Sequence, residues 1–214
     1  MAQQISKTAI KPTRPLVPEK AFAKSEKELA RAAARQKNVQ IVRPHPGGQW
    51  EYMRRPEFEV LFGGAAGPGK TWCLVIDALG LQYKRSTGKA AIEYPEYRAV
   101  LFRRKTTQLA QIISEAKKYY CREPLNAEFV AQRRGEPGPL FQFPSGAMIY
   151  CCHLEQEDDK ESHQGLQYQF IGFDELTQFT FTQYLYLFSR CRSVIPDLPA
   201  KVRSTTNPVG PGLI

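Results

Sequence analysis

Phe58 to Thr71 read FEVLFGGAAGPGKT, an apolar segment that passes through a run of glycines to a lysine and a threonine. The segment matches the pattern G-x-x-x-x-G-K-[ST], in which Lys70 and Thr71 are the last two positions. The apolar part predicts a strand from Phe58 to Phe62. The residues after Thr71, WCLVIDALGLQY, carry apolar side chains at helical spacing, so the lysine and the threonine are predicted to open a helix.

A glycine-rich loop between a strand and a helix is suited to bind the phosphates of a nucleotide. Glycine adopts positive φ without a Cβ clash, so successive backbone N–H groups can point toward one anion, and the helix N-terminus adds partial positive charge. Lys70 can reach the β- and γ-phosphate oxygens, and the Thr71 hydroxyl can be a ligand of Mg²⁺. The predicted cofactors are therefore ATP and Mg²⁺. The predicted nucleotide-binding residues of the loop are Gly64, Ala65, Ala66, Gly67, Pro68, Gly69, Lys70 and Thr71.

An acidic pair follows a short apolar run further along the chain. Residues 168–173 read YQFIGF, and Asp174 and Glu175 come directly after them. An acidic pair alone also suits an ordinary transition from strand to loop, but together with the phosphate loop it predicts a Walker B motif. Asp174 is the predicted Mg²⁺ ligand, with Thr71. Glu175 is the predicted base that accepts a proton from the attacking water, and Lys70 is the second predicted catalytic residue.

Two further segments contribute candidate nucleotide contacts. Gln49 lies ahead of the phosphate loop beside Trp50, and a glutamine can hydrogen-bond to an adenine on which an aromatic ring stacks. The same pair also suits a surface turn and a core tryptophan. Thr206 and Asn207 follow a predicted strand over residues 200–204, where small polar side chains suit a sensor of the γ-phosphate or of its water. A plain turn is the alternative there.

The net charge of +9 is concentrated in the first part of the chain. Residues 1–44 carry ten of the 30 lysines and arginines but only three of the 21 acidic residues. This basic arm is predicted to be partly disordered, with a helix at about residues 20–37 that is rich in alanine and charged residues. The helix suits either a solvated surface or a docking segment for DNA or an acidic partner. Residues 45–214 are predicted to form one P-loop ATPase domain.

The composition also restricts the cellular setting. Five cysteines occur without a C-x-x-C spacing, and the sequence shows no signal peptide and no long apolar span. These features are typical of a reducing cytosol and predict no association with a membrane. The consecutive residues Cys151, Cys152 and His153 alternate between the two faces of a predicted strand, so a shared metal is not expected.

The order of the predicted elements indicates the fold class. A second strand over residues 97–104 leads into a helix over 106–120, and residues 140–152 predict a β-hairpin. Alternating strands and helices predict an α/β protein with a central, mostly parallel sheet flanked by helices, with the hairpin as an insertion. The second strand ends in basic residues, which suit contacts with nucleotide or DNA phosphates or an exposed rim with salt bridges. These residues are Arg103, Arg104 and Lys105.

Taken in order, several segments resemble the ATPase half of the large terminase subunit of tailed phages. They are GGAAGPGKT, LFRRKTTQL, the hairpin, QGLQYQFIGFDELTQF, YLFSRCRS and VRSTTNPVGPG. The resemblance implies an ASCE-type P-loop NTPase fold and an ATP hydrolase that translocates double-stranded DNA into a procapsid. It implies the portal protein and the small terminase subunit as partners, and a pentameric homo-oligomeric ring. It also implies a location in the host cytoplasm, with transient docking at the portal vertex of the procapsid.

The resemblance assigns residues 205–207 to the family's coupling motif and shows two departures. Many members carry an arginine shortly before the catalytic glutamate, whereas residues 162–165 read Ser-His-Gln-Gly here. Arg104, Arg133 and Arg134 are left as candidates for an arginine finger. The ATPase domain is expected to be truncated at its C-terminus and the family's nuclease domain to be absent, so no nuclease activity is expected.

Two other functions are compatible with the same residues. One is a P-loop ATPase of another kind, such as a helicase or translocase. The other is a truncated, non-catalytic module that binds the portal or the small terminase subunit through its basic arm.

The ASCE sheet also predicts how the strands are arranged. In the order 5-1-4-3-2, the strand of the phosphate loop lies between the strand of the coupling motif and a fifth strand, which is expected beyond residue 214. The first strand would then keep an unpaired edge unless another segment filled the place, and residues 51–55 are the candidate.

Overall fold

A computed structural model describes residues 43–65, 67 and 69–207 of the chain. The predicted helix at residues 20–37, the loop residues Ala66 and Pro68, and residues 208–214 lie outside the described residues. The division into an arm of residues 1–44 and an ATPase domain of residues 45–214 therefore stays a prediction. Within the described ranges, no helix is long and apolar enough to cross a bilayer.

The described part of the chain alternates between helices and strands. Its α-helices are α1 (Gly48–Arg54), α2 (Lys70–Asp77), α3 (Lys84–Thr87), α4 (Thr106–Tyr120) and α5 (Phe181–Phe188). Its strands are β1 (Glu59–Gly63), β2 (Arg98–Arg103), β3 (Glu128–Val130), β4 (Leu140–Gln142), β5 (Met148–His153), β6 (Phe170–Phe173) and β7 (Lys201–Thr206). The predicted strand, loop and helix around the phosphate loop are confirmed, and so is the helix predicted over residues 106–120.

The strands of the described residues form one sheet in the order β1-β7-β6-β2-β5-β4-β3. The first five of these run parallel, and β4 and β3 add antiparallel pairs at one edge. The expected arrangement of the phosphate-loop strand, the coupling strand, the acidic strand and the second strand is present as β1-β7-β6-β2. The predicted α/β class with a mostly parallel sheet is confirmed.

The hairpin and the outer edge of β1 differ in detail from the expectation. The hairpin of β4 and β5 is present, but β5 also pairs in parallel with β2, so its second strand continues the central sheet. The expectation that residues 51–55 fill the edge of β1 is wrong, because most of this segment belongs to α1. Tyr52 is buried and stacks on Phe62 with 5.2 Å between ring centroids, so α1 covers a face of β1 instead of its edge.

Two apolar layers cover the two faces of the sheet. On one face, α2 and α4 bury residues such as Leu74 and Ile112 against the sheet. On the other face, α5 buries Leu187 close to Ile171 and Phe173 of β6. Each such side chain contributes about 1.5–3 kcal/mol when it leaves water. The central strands are therefore held in register, and their carboxyl ends present fixed positions for polar side chains.

His163 lies in the apolar layer beneath α5 and is 1% exposed. Its ring packs edge-on against Phe102, with 5.0 Å between centroids, and its Nδ1 lies 2.7 Å from the hydroxyl of Tyr168. Within the described residues, Nε2 has no hydrogen-bond partner. Burial lowers the pKa of His163 from its ordinary value of 6.5 to about 4.

This pKa predicts a stability that falls on acidification. Between pH 6.5 and about 4 the unfolded chain binds a proton at His163 that the folded chain does not bind, so the free energy of unfolding decreases as the pH falls through this range. The loss due to this group is expected to reach roughly 3 kcal/mol. Denaturant unfolding at several pH values should show a weaker pH dependence in His163→Gln than in the wild type. His45→Gln, at an exposed position, should follow the wild-type curve, and parallel curves for all three proteins would contradict the prediction.

Candidate nucleotide site

The phosphate loop connects the end of β1 to the start of α2. Gly67 and Gly69 have φ angles of 105° and 73°, in the left-handed region that favours glycine. A Cβ at Gly69 would lie 2.5 Å from Nε2 of Gln49, at the end of a flexible side chain, so the positive φ more than the space favours glycine here. Gly69 caps α2 and has no side chain that could bond to the N–H groups of the first helical turn. This arrangement is suited to bind an anion.

The side chain of Lys70 is 6% exposed and spans the loop. Its Nζ donates to the carbonyl oxygens of Gly64 at 2.9 Å and Ala65 at 2.8 Å, and to Oδ1 of Asn207 at 2.8 Å. All three acceptors are neutral, and no carboxylate of the described residues forms an ion pair with this ammonium group. Its positive charge is thus available to an anion in the loop.

Asp174 lies directly after β6 and is 1% exposed. Its Oδ2 accepts hydrogen bonds from the Thr71 hydroxyl at 2.9 Å and from Nε and Nη2 of Arg103 at 2.8 and 2.7 Å. Its Oδ1 accepts a hydrogen bond from the Thr205 hydroxyl at 2.5 Å. The carboxylate therefore joins the start of α2 to the ends of β2 and β7.

The contact between Thr71 and Asp174 brings two oxygen ligands to one point. Mg²⁺ prefers oxygen ligands and is usually bound by one or two protein side chains, with the remaining positions taken by water and substrate phosphates. No group of three or more His, Cys, Asp or Glu side chains that could hold a metal ion occurs in the described ranges. The pair Thr71 and Asp174 fits Mg²⁺ that is bound together with a nucleotide.

Glu175 has a left-handed backbone, with φ 62° and ψ 60°. This conformation is costly for a residue with a side chain, and such strain is typical of functional sites. The backbone N–H of Glu175 donates to the Thr205 hydroxyl at 3.3 Å. Its carboxylate accepts hydrogen bonds from Nδ2 of Asn207 at 2.8 Å and from the backbone N–H of Asn207 at 3.2 Å. Asn207 therefore contacts both predicted catalytic residues, Lys70 and Glu175.

Two cavities adjoin the phosphate loop. The first has a volume of about 440 Å³ and is lined by the loop, by Lys70, Thr71, Arg103 and Glu175, and by Asn207. The second has a volume of about 570 Å³ and is lined by Gln49, Phe62, Gly64, Ala65 and Gly67, among others. Lys70, Thr71 and Glu175 therefore share the first cavity, and Asp174 contacts Thr71 and Arg103 of its lining, whereas Gln49 lines the second cavity.

The structure separates Thr205 from Thr206. Neighbouring strand residues point to opposite faces of a sheet, and the hydroxyl of Thr206 lies 3.2 Å from that of Thr177, away from Asp174. Thr205, which sequence reasoning did not single out by itself, contacts both acidic residues. The alternation along β7 indicates that only one of the two threonines faces Asp174, but it does not indicate which one.

The candidate arginine fingers do not line the first cavity. Arg104 donates to the carbonyl oxygen of Leu154 at 2.5 Å and to Oε1 of Gln183 at 2.6 Å. Arg133 and Arg134 line a separate cavity in the loop before β4. An arginine finger that acts on a neighbouring subunit therefore stays a prediction for these three residues. Arg103, which sequence reasoning grouped with Arg104 in one basic triplet, is the arginine that enters the site.

Comparison with known proteins identifies the family. Residues 61–211 match the family model described as terminase large subunit, T4likevirus-type, N-terminal. The chain belongs to the large terminase subunit family. The matched range of this terminase chain includes the described parts of the phosphate loop, the acidic pair and the coupling segment. No curated protein matches the terminase chain.

Solved structures of phage large terminases share the fold of this terminase chain. The large terminase of a thermophilic bacteriophage matches with a TM-score of 0.55 at 15% identity, over 79% of this chain and 40% of that chain. The large terminase of bacteriophage HK97 matches with a TM-score of 0.53 at 13% identity, over 80% of this chain and 34% of that chain. A structure of the thermophilic phage terminase in complex with ADP matches with a TM-score of 0.52 at 14% identity, over 77% of this chain and 39% of that chain. This terminase chain spans less than half the length of these relatives.

Proposed function

We propose that this terminase chain hydrolyses ATP with Mg²⁺ and thereby drives double-stranded DNA into a procapsid. One observation carries the proposal: Lys70, Asp174 and Glu175 meet at the carboxyl ends of parallel strands, around the phosphate loop. Ligands of open α/β sheets bind at this end of the strands. The thermophilic phage terminase that was solved in complex with ADP has the same fold, which supports a nucleotide as the ligand.

In the proposed reaction, water attacks the γ-phosphorus and the bond to the leaving ADP oxygen breaks. The ammonium of Lys70 and the N–H groups at the start of α2 stabilise the negative charge of the phosphate oxygens. Glu175 accepts a proton from the attacking water, and the two N–H donors of Asn207 orient its carboxylate. Thr71 and Asp174 would hold Mg²⁺, which when bound neutralises charge on the phosphate oxygens.

We assign the base of the nucleotide to the second cavity. Gln49 lines this cavity, and its Oε1 accepts a hydrogen bond from the backbone N–H of His45 at 2.9 Å. The amide group lies against Gly69, so it is close to the loop that would hold the phosphates. Trp50 does not line this cavity and is about half exposed, so the proposal places no stacking contact on it.

The movement of DNA is proposed from the family and from the contacts of β7. Thr205 of β7 contacts Asp174 and Glu175, and Asn207, directly after β7, contacts Glu175 and Lys70. A rearrangement at the γ-phosphate would therefore be transmitted directly to the end of this strand. The proposed partners are double-stranded DNA, the portal protein and the small terminase subunit, and the proposed assembly is a pentameric ring of large subunits. The proposed location is the host cytoplasm, with transient docking at the portal vertex. These assignments rest on membership in the family.

Binding of a nucleotide is expected to stabilise the chain through Lys70. At ligand concentrations about 100 times the Kd, Mg²⁺ and ADP should raise the free energy of unfolding by about 2.7 kcal/mol and the Tm by about 5 °C or more. Lys70→Ala should lose most of this rise, because the ammonium no longer contacts the phosphates. Thermal unfolding monitored by circular dichroism measures the effect.

Lys84→Ala is the matched control for the loss of a lysine. Lys84 lies in α3, away from the loop, and forms an exposed ion pair with Glu93 at 3.7 Å. The rise in Tm that ADP causes in Lys84→Ala should equal the rise in the wild type. The absence of a rise in the wild type, or an equal rise in Lys70→Ala, would contradict the proposed site.

A further inference from the structure

Arg103 is a charged residue of the site that the proposed reaction does not use. It is the last residue of β2, and the pairing of β2 with β6 places it beside Asp174. It is 9% exposed, and its guanidinium donates twice to one oxygen of Asp174, at 2.8 and 2.7 Å. It also lines the cavity that contains Lys70 and Glu175.

We propose that Arg103 is a positioning residue that holds Asp174 in competition with the divalent cation. The inference rests on the proposed function, because it concerns the carboxylate assigned to Mg²⁺. Oδ2 of Asp174 accepts hydrogen bonds from Arg103 and Thr71, and Oδ1 accepts one from Thr205. Three N–H or O–H donors thus occupy Oδ2, so a cation that binds at Oδ2 beside Thr71 requires one of them to leave.

The guanidinium is the donor that has to leave. The hydroxyls of Thr71 and Thr205 are neutral and carry lone pairs, so they can lie beside a cation, and Thr71 is itself an assigned ligand. A guanidinium is always charged, has no acceptor atom and repels a cation at the same carboxylate oxygen. The cavity gives its side chain a place to move, and the other charged side chains that line this cavity are Lys70, Glu115 and Glu175.

Competition gives Arg103 a definite role. Without a bound cation, the guanidinium compensates the charge of a buried carboxylate that would otherwise be costly. With a bound cation, the same guanidinium is displaced. Arg103 therefore sets the concentration of divalent cation at which the site fills.

The test measures binding of Mn²⁺ to the full chain in the presence of ADP, by electron paramagnetic resonance. Arg103→Gln removes the competing charge, so its cation site is expected to fill at a roughly tenfold lower concentration of free Mn²⁺ than that of the wild type. Arg104→Gln is the matched control, because the neighbouring guanidinium bonds to Leu154 and Gln183 and does not contact Asp174. It is expected to fill at the wild-type concentration.

The outcomes separate the role of Arg103 from the proposed function. If the wild type binds Mn²⁺ normally and the site of Arg103→Gln fills at an equal or higher concentration of free Mn²⁺, the competition alone is overturned. A purely structural role of Arg103 would change the Tm and not the Mn²⁺ concentration at which the site fills. If Arg103→Gln does not fold, Arg103→Lys serves instead. It keeps the charge but loses the planar fork, so it should fill at a roughly two- to threefold lower concentration, and an unchanged value overturns the competition. A wild type that binds neither Mn²⁺ nor ADP overturns both proposals.

Discussion

Glu175→Gln is expected to lower the rate of ATP hydrolysis by about 100- to 10,000-fold and to change the Kd for ADP by less than about threefold. Glutamine has nearly the same shape as glutamate and keeps an oxygen that can accept the hydrogen bond from Nδ2 of Asn207. It cannot accept a proton from water, so the loss falls on kcat. Steady-state ATPase assays with and without linear duplex DNA measure the rate, and calorimetry measures the binding of ADP.

Glu115→Gln is the control for the loss of a carboxylate in the same cavity. Glu115 lies in α4, lines the cavity and forms an ion pair with Lys118 at 2.5 Å. Its substitution should leave the rate within about threefold of the wild type, because it has no assigned proton to accept. Equal rates for Glu175→Gln and the wild type would remove Glu175 as the base.

The same assay distinguishes the other functions that the sequence allows. A wild type that binds ADP but hydrolyses no ATP, with or without DNA, would support the non-catalytic module. DNA-stimulated hydrolysis with unwinding of a duplex in the absence of a portal would support a helicase.

Arg203→Met is expected to lower the free energy of unfolding by about 3–5 kcal/mol, because it leaves a buried carboxylate without its partner. Arg203 of β7 is 0% exposed, and its Nε donates to Oδ2 of Asp77, the last residue of α2, at 3.0 Å. Its other nitrogens donate to backbone carbonyl oxygens of Arg55 at 2.9 Å and Glu57 at 3.0 Å, ahead of β1. Burial raises the pKa of Asp77, and the guanidinium acts in the opposite direction. Denaturant unfolding measures the change.

An exposed pair of the same type provides the comparison. Arg55 and Glu57 lie 3.6 Å apart with both side chains about half exposed, so Arg55→Met should change the free energy of unfolding by less than about 1 kcal/mol. Asp77→Asn in the Arg203→Met background should recover part of the loss, since it removes the unpaired charge. A loss below about 1 kcal/mol for Arg203→Met would show that the buried pair is not important for stability.

Sequence patterns predicted the structure correctly where one short segment contains all the residues that determine it. The phosphate loop follows from the glycines and Lys70, because a strand, a tight loop and a helix are all specified within residues 58–77. The helix over residues 106–120 follows in the same way from the spacing of its apolar side chains. Sequence reasoning failed for residues 51–55, where the burial of Tyr52 on Phe62 favours a helix over an edge strand.

The sequence by itself specified the order of the elements, the α/β class and the residue types that suit phosphate and magnesium, because these depend on spacing along the chain. The choice of Thr205 over Thr206, the approach of Arg103 to Asp174 and the bridge that Asn207 makes between Lys70 and Glu175 required the folded chain. They depend on which strands are neighbours and which face each side chain occupies, and residues more than 100 positions apart meet only when β1, β7, β6 and β2 are aligned in one sheet.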